Sequence, residues 1–401
     1  MRMIRNIAFQ LAVGSATFQG ASFVIVLLAK YAFHAEGFAA FVTQVAWASI
    51  LGAVATFRLE VILVQERQTV DRPVLLVPLS VAFMSLAIFG AVAFGISIPL
   101  GGNGPIEMMT LLLALGFALH EAQSFLCVRM ERVLHLLATR AVQGFLIGAT
   151  GLAAFLGWLS PTETFRAFAL SVTCPLLIWW GIGFIRASGT TTFTLPDAKT
   201  WARGSFATVS SILNAAYVNV PILIAAATQN TALVADFGFL MKLLTGPLTL
   251  VRQAFGQTFL SKSLTIDSSH DGAQNRLMTL LLHTIKLALT SYGAILVLMV
   301  ALVWIGDDVF SIHQPNMIFW LALATIPQAM INPVASIRTT LRRENTFFLY
   351  DTFRLLILTV ALILPIGLAF HVTFSLVSSA LYLLYWMFIL QQIGQEFRSA
   401  R

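Results

Sequence analysis

Lys286, His283 and Thr290 are the side chains of this sequence best placed to bind a charged solute inside an apolar segment. Their spacing puts all three on one face of a helix. Lys286 follows Arg276 by ten residues, which is roughly 15 Å along a helix axis. That depth is more than a lysine recovers comfortably by extending toward the headgroups. We therefore expect Lys286 to face a water-filled cavity.

Lys242 lies in a second apolar segment, 235–255, which reads ADFGFLMKLLTGPLTLVRQAF. It follows Asp236 by six residues, roughly 9 Å along the axis. Facing lipid there would cost on the order of 2.5 kcal/mol or somewhat less. Two interpretations stay open: the ammonium extends to the outer surface and meets Asp236, or it faces a cleft and binds an anion.

A polar stripe marks the segment 204–227, where Ser210, Asn214, Tyr217 and Pro221 fall on one helical face. The stripe could line a translocation path. It could equally supply hydrogen bonds between helices, as small and amide side chains often do in membranes.

Acidic residues are rare in the apolar segments. Glu121, next to His120, is either a proton or cation site or the partner of a buried base, and pairing is the favoured interpretation. Asp351 and Arg354 stand at positions i and i+3, so they can pair directly as a structural contact.

Enzyme motifs are missing from the sequence. We find no phosphate-binding glycine-rich loop, no metal-ligand cluster and no nucleophile–base pair at motif spacing. Cys127 and Cys174 both lie in apolar runs, too few for a disulfide framework or a zinc site. We therefore expect a protein that is not an enzyme and that needs no cofactor or metal.

The composition indicates the environment of these residues. Of 401 residues, 58% are hydrophobic and only 10% are charged, whereas soluble domains are about 25% charged. Apolar stretches of about 20 residues, long enough to cross a bilayer, recur along the whole chain. The sequence predicts an all-α integral membrane protein. We expect its first helix to be retained rather than cleaved as a signal peptide. About twelve spans are predicted, near 7–29, 37–57, 73–97, 106–128, 136–158, 164–185, 204–227, 235–256, 277–304, 315–337, 346–369 and 371–392.

Basic residues set the orientation of these spans. With the N-terminus inside, the inner loops hold nearly all the Lys and Arg, and the outer loops hold only Lys30 and Arg166. This places both termini in the cytoplasm. The net charge of +7 is therefore a topology signal, and no nucleic-acid partner is expected.

The predicted spans divide six and six around a polar inner connection. We assign an N-terminal lobe to 1–190, a cytoplasmic linker to 191–203 and a C-terminal lobe to 204–401. Both lobes begin on the same side, which predicts a parallel pseudo-repeat.

Three stretches resemble the O-antigen type of polysaccharide flippase in the multidrug/oligosaccharidyl-lipid/polysaccharide (MOP) superfamily. They are FRLEVILVQ at 57–65, EAQSFLCVRMERVLHLLATRAVQ at 121–143, and NAAYVNVPILIAAATQNTALVADFGFLMKLLTGPLTLVRQAFGQTFLSKS at 214–263; SIRTTLRRENTFFLYDTFRLL at 336–356 is a weaker match. The first stretch departs from the family at Leu59, where an aromatic residue is usual.

The resemblance implies a two-lobed transporter that alternates access around a central cavity. It implies an undecaprenyl-pyrophosphate-linked oligosaccharide as the substrate, moved from the cytoplasmic to the periplasmic leaflet of the inner membrane, and polysaccharide polymerase machinery as a partner. It adds Arg58, Glu60 and Lys242 to the cavity candidates Lys286, His283, Asn214, Tyr217 and Glu121.

Two other classes compete with this interpretation. A cation-coupled multidrug exporter of the same superfamily would need an intramembrane acid, and in the first lobe only Glu121 is a candidate. A membrane-embedded glycan polymerase or ligase would display a large outer loop, which this chain lacks. The basic bias of the intramembrane charges favours an anionic substrate.

Overall fold

The computed structural model describes residues 2–55, 81–82, 84–86, 107–129, 133–187, 198–228, 230–263, 273–306, 308–335, 344–364 and 367–399. Every regular element in these residues is a helix. The α-helices are α1 (Arg2–Ala32), α2 (Ala35–Ala55), α3 (Met108–Arg129), α4 (Val133–Phe155), α5 (Pro161–Ala187), α6 (Ala198–Ala227), α7 (Thr231–Ser263), α8 (Ala273–Gly306), α9 (Met317–Ile331), α10 (Glu344–Ile363) and α11 (Phe370–Ser399). A 3-10 turn, Asn332–Val334, follows α9.

These helices confirm the predicted fold class. Within the described part of the chain, 8 helices are long and apolar enough to cross a membrane. A helix satisfies its own backbone hydrogen bonds, which hydrocarbon requires of any spanning segment. Each predicted span overlaps one α-helix except 73–97, of which residues 81–82 and 84–86 are described and helical. The protein is a multi-pass membrane protein.

Some helices extend past the predicted spans. α7 has 33 residues and α8 has 34, so each is about 50 Å long and exceeds a hydrocarbon core of about 30 Å. α6 begins at Ala198, so residues 198–203 of the predicted linker are helical. The predicted spans 346–369 and 371–392 correspond to separate helices, since α10 ends at Ile363 and α11 begins at Phe370.

The turn between α4 and α5 follows from its sequence, GWLSPTE. Gly157 has a φ of 75° and donates its N–H to the Ala154 carbonyl, the left-handed ending that favours glycine. Ser160 and Glu163 form a reciprocal cap. The Ser160 backbone N–H donates to the Glu163 carboxylate at 2.9 Å, and the Glu163 backbone N–H donates to the Ser160 hydroxyl at 3.3 Å. Pro161 takes the first helical position, where no N–H is needed.

The helices group into two compact units, Leu28–Thr231 and Met1–Leu27 with Ala232–Arg401. In the unit Leu28–Thr231, α2 packs against α3, α5 and α6, and α5 also packs against α3 and α4. Glycine allows close approach there: a Cβ at Gly37 would lie 2.7 Å from Cγ of Pro161, and a Cβ at Gly116 would lie 2.5 Å from Oγ1 of Thr173. Small residues serve the same purpose at other membrane helix interfaces.

The other unit has its core where α7, α8 and α9 meet. Leu248 and Val251 of α7, Ala288 and Tyr292 of α8, and Ala329 of α9 form one buried cluster. α11 packs against α9 and α10. Aromatic contacts tie α7 to α11, with ring centroids of Phe237 and Phe374 5.4 Å apart.

The two compact units differ from a division of the chain at the predicted linker 191–203, and the difference concerns two helices. The first part of α1 belongs with the helices of the second half, and α6, which packs along α2, belongs with those of the first half. The predicted lobes 1–190 and 204–401 stay a prediction about internal repetition.

Candidate functional site: polar side chains at membrane depth

α8 has one packed face and one open face. Its packed face includes Ile285, Ala288 and Tyr292, and the Tyr292 hydroxyl donates to the Leu244 carbonyl of α7 at 3.4 Å. The apolar side chains on this face therefore attach α8 to its own unit and leave the opposite face available.

The open face carries the predicted cavity residues. His283, Lys286 and Thr290 are all exposed. The Thr290 hydroxyl donates to the Lys286 carbonyl at 2.9 Å and to the Leu287 carbonyl at 3.0 Å, so its oxygen can still accept. The sequence of α8 contains Arg276, His283 and Lys286 but no Asp or Glu. This face presents positive charge.

The surroundings of Lys242 are more closed. Lys242 is half-buried, whereas its neighbours Met241 and Leu243 are buried. Desolvation of an ammonium group is costly, so the ammonium group of Lys242 requires polar groups around it. That a substrate is one of these groups stays a prediction.

Asp236, the residue suggested as a partner for Lys242, binds the backbone of the segment before α9. It is 1% exposed and accepts backbone N–H groups from His313 at 2.8 Å and Gln314 at 3.3 Å. The His313 Nδ1 also lies 3.4 Å from the same carboxylate oxygen. Asp236 thus fixes the segment that leads into α9. No sequence signal could have found this contact, because 77 residues separate the partners.

The polar stripe of α6 is largely buried. Ser210, Tyr217 and Pro221 are buried, and Asn214 is half-buried. Nearby, the Asn219 side chain donates to the Ala215 carbonyl at 2.8 Å. α6 packs along α2, and whether the stripe serves helix packing or lines a translocation path stays a prediction.

A buried polar seam joins α3 and α4. The Gln123 amide donates to Oγ1 of Thr139 at 3.0 Å, and the Arg140 guanidinium donates to Oγ of Ser124 at 2.6 Å. Arg140 is only 2% exposed, whereas the distribution of basic residues predicts it to be one of the inner-loop cations. Gln123 and Ser124, inside an apolar span, were the signal that could have predicted it.

The seam continues at His120. Its Nδ1 lies 3.3 Å from Oε1 of Gln143, and the Gln143 amide donates to the Val172 carbonyl of α5 at 2.6 Å. These bonds satisfy polar groups that would otherwise be costly in the interior. Glu121, the predicted acid, is half-buried beside His120.

The pair predicted at positions i and i+3 of α10 forms. Arg354 lies 3.5 Å from Asp351, and both side chains are nearly fully buried. The guanidinium also stands over the rings of Tyr382 and Tyr385, 5.0 and 5.7 Å from their centroids. This contact is structural, since a buried charge needs such partners.

Two predicted residues, Arg58 and Glu60, lie outside the described residues. Within the described part of the chain, no group of three or more His, Cys, Asp and Glu could hold a metal ion. Both cysteines are unbonded thiols; Cys127 is buried and Cys174 is exposed.

We compared the chain with known protein families, curated proteins and solved structures. No protein-family model matches the chain, and no curated protein matches it. Among solved structures, it is similar to an outward-facing multidrug resistance MATE family transporter of the MOP superfamily, with a TM-score of 0.60, 12% identity and coverage of 99% of this chain and 96% of that one.

Two further structures show the same likeness. An inward-facing multidrug resistance MATE family transporter gives a TM-score of 0.56 at 13% identity, covering 98% of this chain and 100% of that one. A MOP superfamily transporter from Pyrococcus furiosus Vc1 gives 0.50 at 12% identity, covering 98% and 96%. The chain has the all-helical fold of MOP-superfamily transporters.

Proposed function

We propose that this protein is an alternating-access transporter that moves an anionic, undecaprenyl-pyrophosphate-linked oligosaccharide from the cytoplasmic to the periplasmic leaflet. The MOP fold supports transport, and the motif resemblance supports this substrate. The observation that carries the proposal is the open, basic face of α8, with His283, Lys286 and Thr290 exposed in a helix long and apolar enough to cross a membrane.

The cost of placing the Lys286 ammonium group in hydrocarbon indicates that this face of α8 is surrounded by water. Lys286 lies roughly 15 Å along the axis from Arg276, and an ammonium in mid-bilayer hydrocarbon costs on the order of 2.5 kcal/mol or more. Water removes that cost. A cleft lined by this face would offer a diphosphate the charge-assisted hydrogen bonds that it requires, while the lipid tail stays in the bilayer.

The charge of the face argues against a cationic cargo. α8 has three basic groups and no acidic one to hold a cation. Two carboxylates of the same unit are engaged elsewhere, Asp236 by the segment before α9 and Asp351 by Arg354. The Pyrococcus furiosus transporter is described by a reversed polarity of its binding pocket, which suggests a different function for that protein. The polarity of the pocket is therefore the property to test here.

The second candidate is a cation-coupled multidrug exporter. Its support is the description of the MATE neighbours as multidrug resistance transporters, together with the half-buried Glu121 in α3. A glycan polymerase or ligase has no comparable structural support.

The two candidates separate in a deletion experiment. Removing the gene from its native bacterium should abolish a surface polysaccharide and leave resistance to cationic dyes unchanged. Re-expression of the wild type should restore the glycan, Lys286→Arg should restore part of it, and Lys286→Gln should fail at equal protein level. Lys262→Gln, an exposed lysine in the last turn of α7, is the matched control. Intact surface glycan with increased dye sensitivity would reject the proposal in favour of drug export.

A further inference from the structure

The exposed surface of α8 continues beyond the basic face formed by His283, Lys286 and Thr290, and it changes its chemistry after Thr290. The helical spacing of the exposed residues that follow keeps them on the same side of the helix. All of them are apolar: Ala294, Val297, Leu298, Ala301, Trp304 and Ile305. Val297 and Leu298 are 69% and 64% exposed. The open side of α8 therefore has a basic first half and an apolar second half.

The change of chemistry lies midway between two residues typical of membrane interfaces. Arg276 precedes Thr290 by fourteen residues and Trp304 follows it by fourteen, so each is roughly 21 Å from Thr290 along the axis. The whole distance, about 42 Å, matches the roughly 40–45 Å of a bilayer with its headgroup regions. Inner-side arginine and interfacial tryptophan are both common in membrane helices. Thr290 is thus expected near the bilayer centre.

An aromatic group supports this position for Trp304. Its ring centroid lies 6.0 Å from that of Phe319 in α9, and Phe319 and Trp320 are exposed. In the other compact unit, Trp158 after α4 is also exposed. These are the three exposed tryptophans of the described residues, and the predicted topology puts all of them on the outer side. Amphipathic indole rings are enriched at the level of the headgroups.

The two halves require different surroundings. The Lys286 ammonium group is costly to place in hydrocarbon, whereas exposed Val297 and Leu298 are unfavourable in water. Contacts between membrane helices favour small residues, but Val297, Leu298 and Ile305 are large and branched. Lipid chains therefore suit the second half of α8 better than another helix does.

We infer that the open side of α8 is divided at Thr290, with water from the cytoplasmic side around the basic half and outer-leaflet lipid chains around the apolar half. The cleft that contains Lys286 opens inward and is closed to the periplasm along this helix. The inference shares the basic face with the proposed function but does not depend on the substrate. A protein that exports no glycan could still have this divided surface.

A nitroxide label on a single cysteine tests what surrounds each half. In a Cys174→Ser background, the full-length chain is labelled at Val297→Cys or Lys286→Cys and reconstituted into phosphatidylcholine vesicles, and the thermal midpoint of each variant checks folding. Collisions are measured with oxygen, which concentrates in lipid, and with a water-soluble nickel chelate. Oxygen should collide more often at Val297→Cys, and the order should reverse at Lys286→Cys.

Each other pattern of collisions contradicts the division. More nickel than oxygen at Val297→Cys would show that water surrounds the whole open side. Few collisions of either kind there would show that protein, such as a second copy of the chain, covers it. More oxygen than nickel at Lys286→Cys would place the basic half in lipid, and this result would count against the proposed function as well.

Membrane vesicles of both orientations identify the side from which water enters. His283→Cys should react with a membrane-impermeant maleimide in inside-out vesicles and lose that reaction in right-side-out vesicles. Val297→Cys should react in neither, and its reaction after denaturation in SDS shows that the thiol is intact. Labelling of His283→Cys in right-side-out vesicles, its failure to react in inside-out vesicles, or labelling of native Val297→Cys in either orientation would overturn the inward opening.

Discussion

Replacing Lys286 is the change that most directly probes a wet, basic face on α8. One charge-assisted hydrogen bond contributes about 1.5–3 kcal/mol, so Lys286→Gln should reduce transport of an anionic substrate about ten- to a hundredfold. Lys286→Arg keeps the charge and should lose much less. Flipping of a fluorescent phosphate-linked glycolipid in proteoliposomes measures both variants.

Accessibility tests the same face without a substrate. Because Cys174 is exposed and Cys127 is buried, a Cys174→Ser background leaves little labelling of its own. In that background Lys286→Cys should react with a membrane-impermeant thiol reagent. Ala288→Cys, at a position with 0% exposure, should not. If the Lys286→Cys variant is active but is labelled from neither side of the membrane, this face of α8 is not in contact with water.

The remaining predictions concern Lys242, Arg354 and the location of the C-terminus. If Lys242 binds an anion, Lys242→Arg should retain part of the glycan export and Lys242→Gln should abolish it at normal protein level; equal tolerance of both would show that Lys242 only extends to the surface. Arg354→Leu should lower stability by about 3–5 kcal/mol because it leaves a buried carboxylate without its base, whereas Phe353→Ala, at a site 65% exposed, should cost much less; equal thermal midpoints would contradict this. A C-terminal reporter should be active only in the cytoplasm, and periplasmic activity would overturn the twelve-span topology.

Much of the architecture was predictable because it depends on local properties of the chain. A run of about 20 apolar residues that crosses a bilayer is helical, since hydrocarbon offers its backbone groups no other hydrogen-bond partner. The Asp351–Arg354 pair involves residues three positions apart, so spacing alone was enough to predict it. The Ser160–Glu163 cap is equally local. Helical periodicity also put His283, Lys286 and Thr290 on one face of a helix, but it could not say whether that face packs or is exposed.

Tertiary structure decided what each polar face meets. Ser210 and Tyr217 form a stripe whether it faces a cleft or another helix, and only the tertiary structure shows that both side chains are buried. Arg140 is a basic residue near a predicted helix end, yet Ser124 on the neighbouring helix holds it inside the unit. Asp236 is an acid that the sequence predicts as a partner for Lys242, and the fold also brings the backbone N–H of His313 to it. These choices depend on contacts between residues distant in sequence, and the helical period that fixes a face carries no information about the surface opposite it.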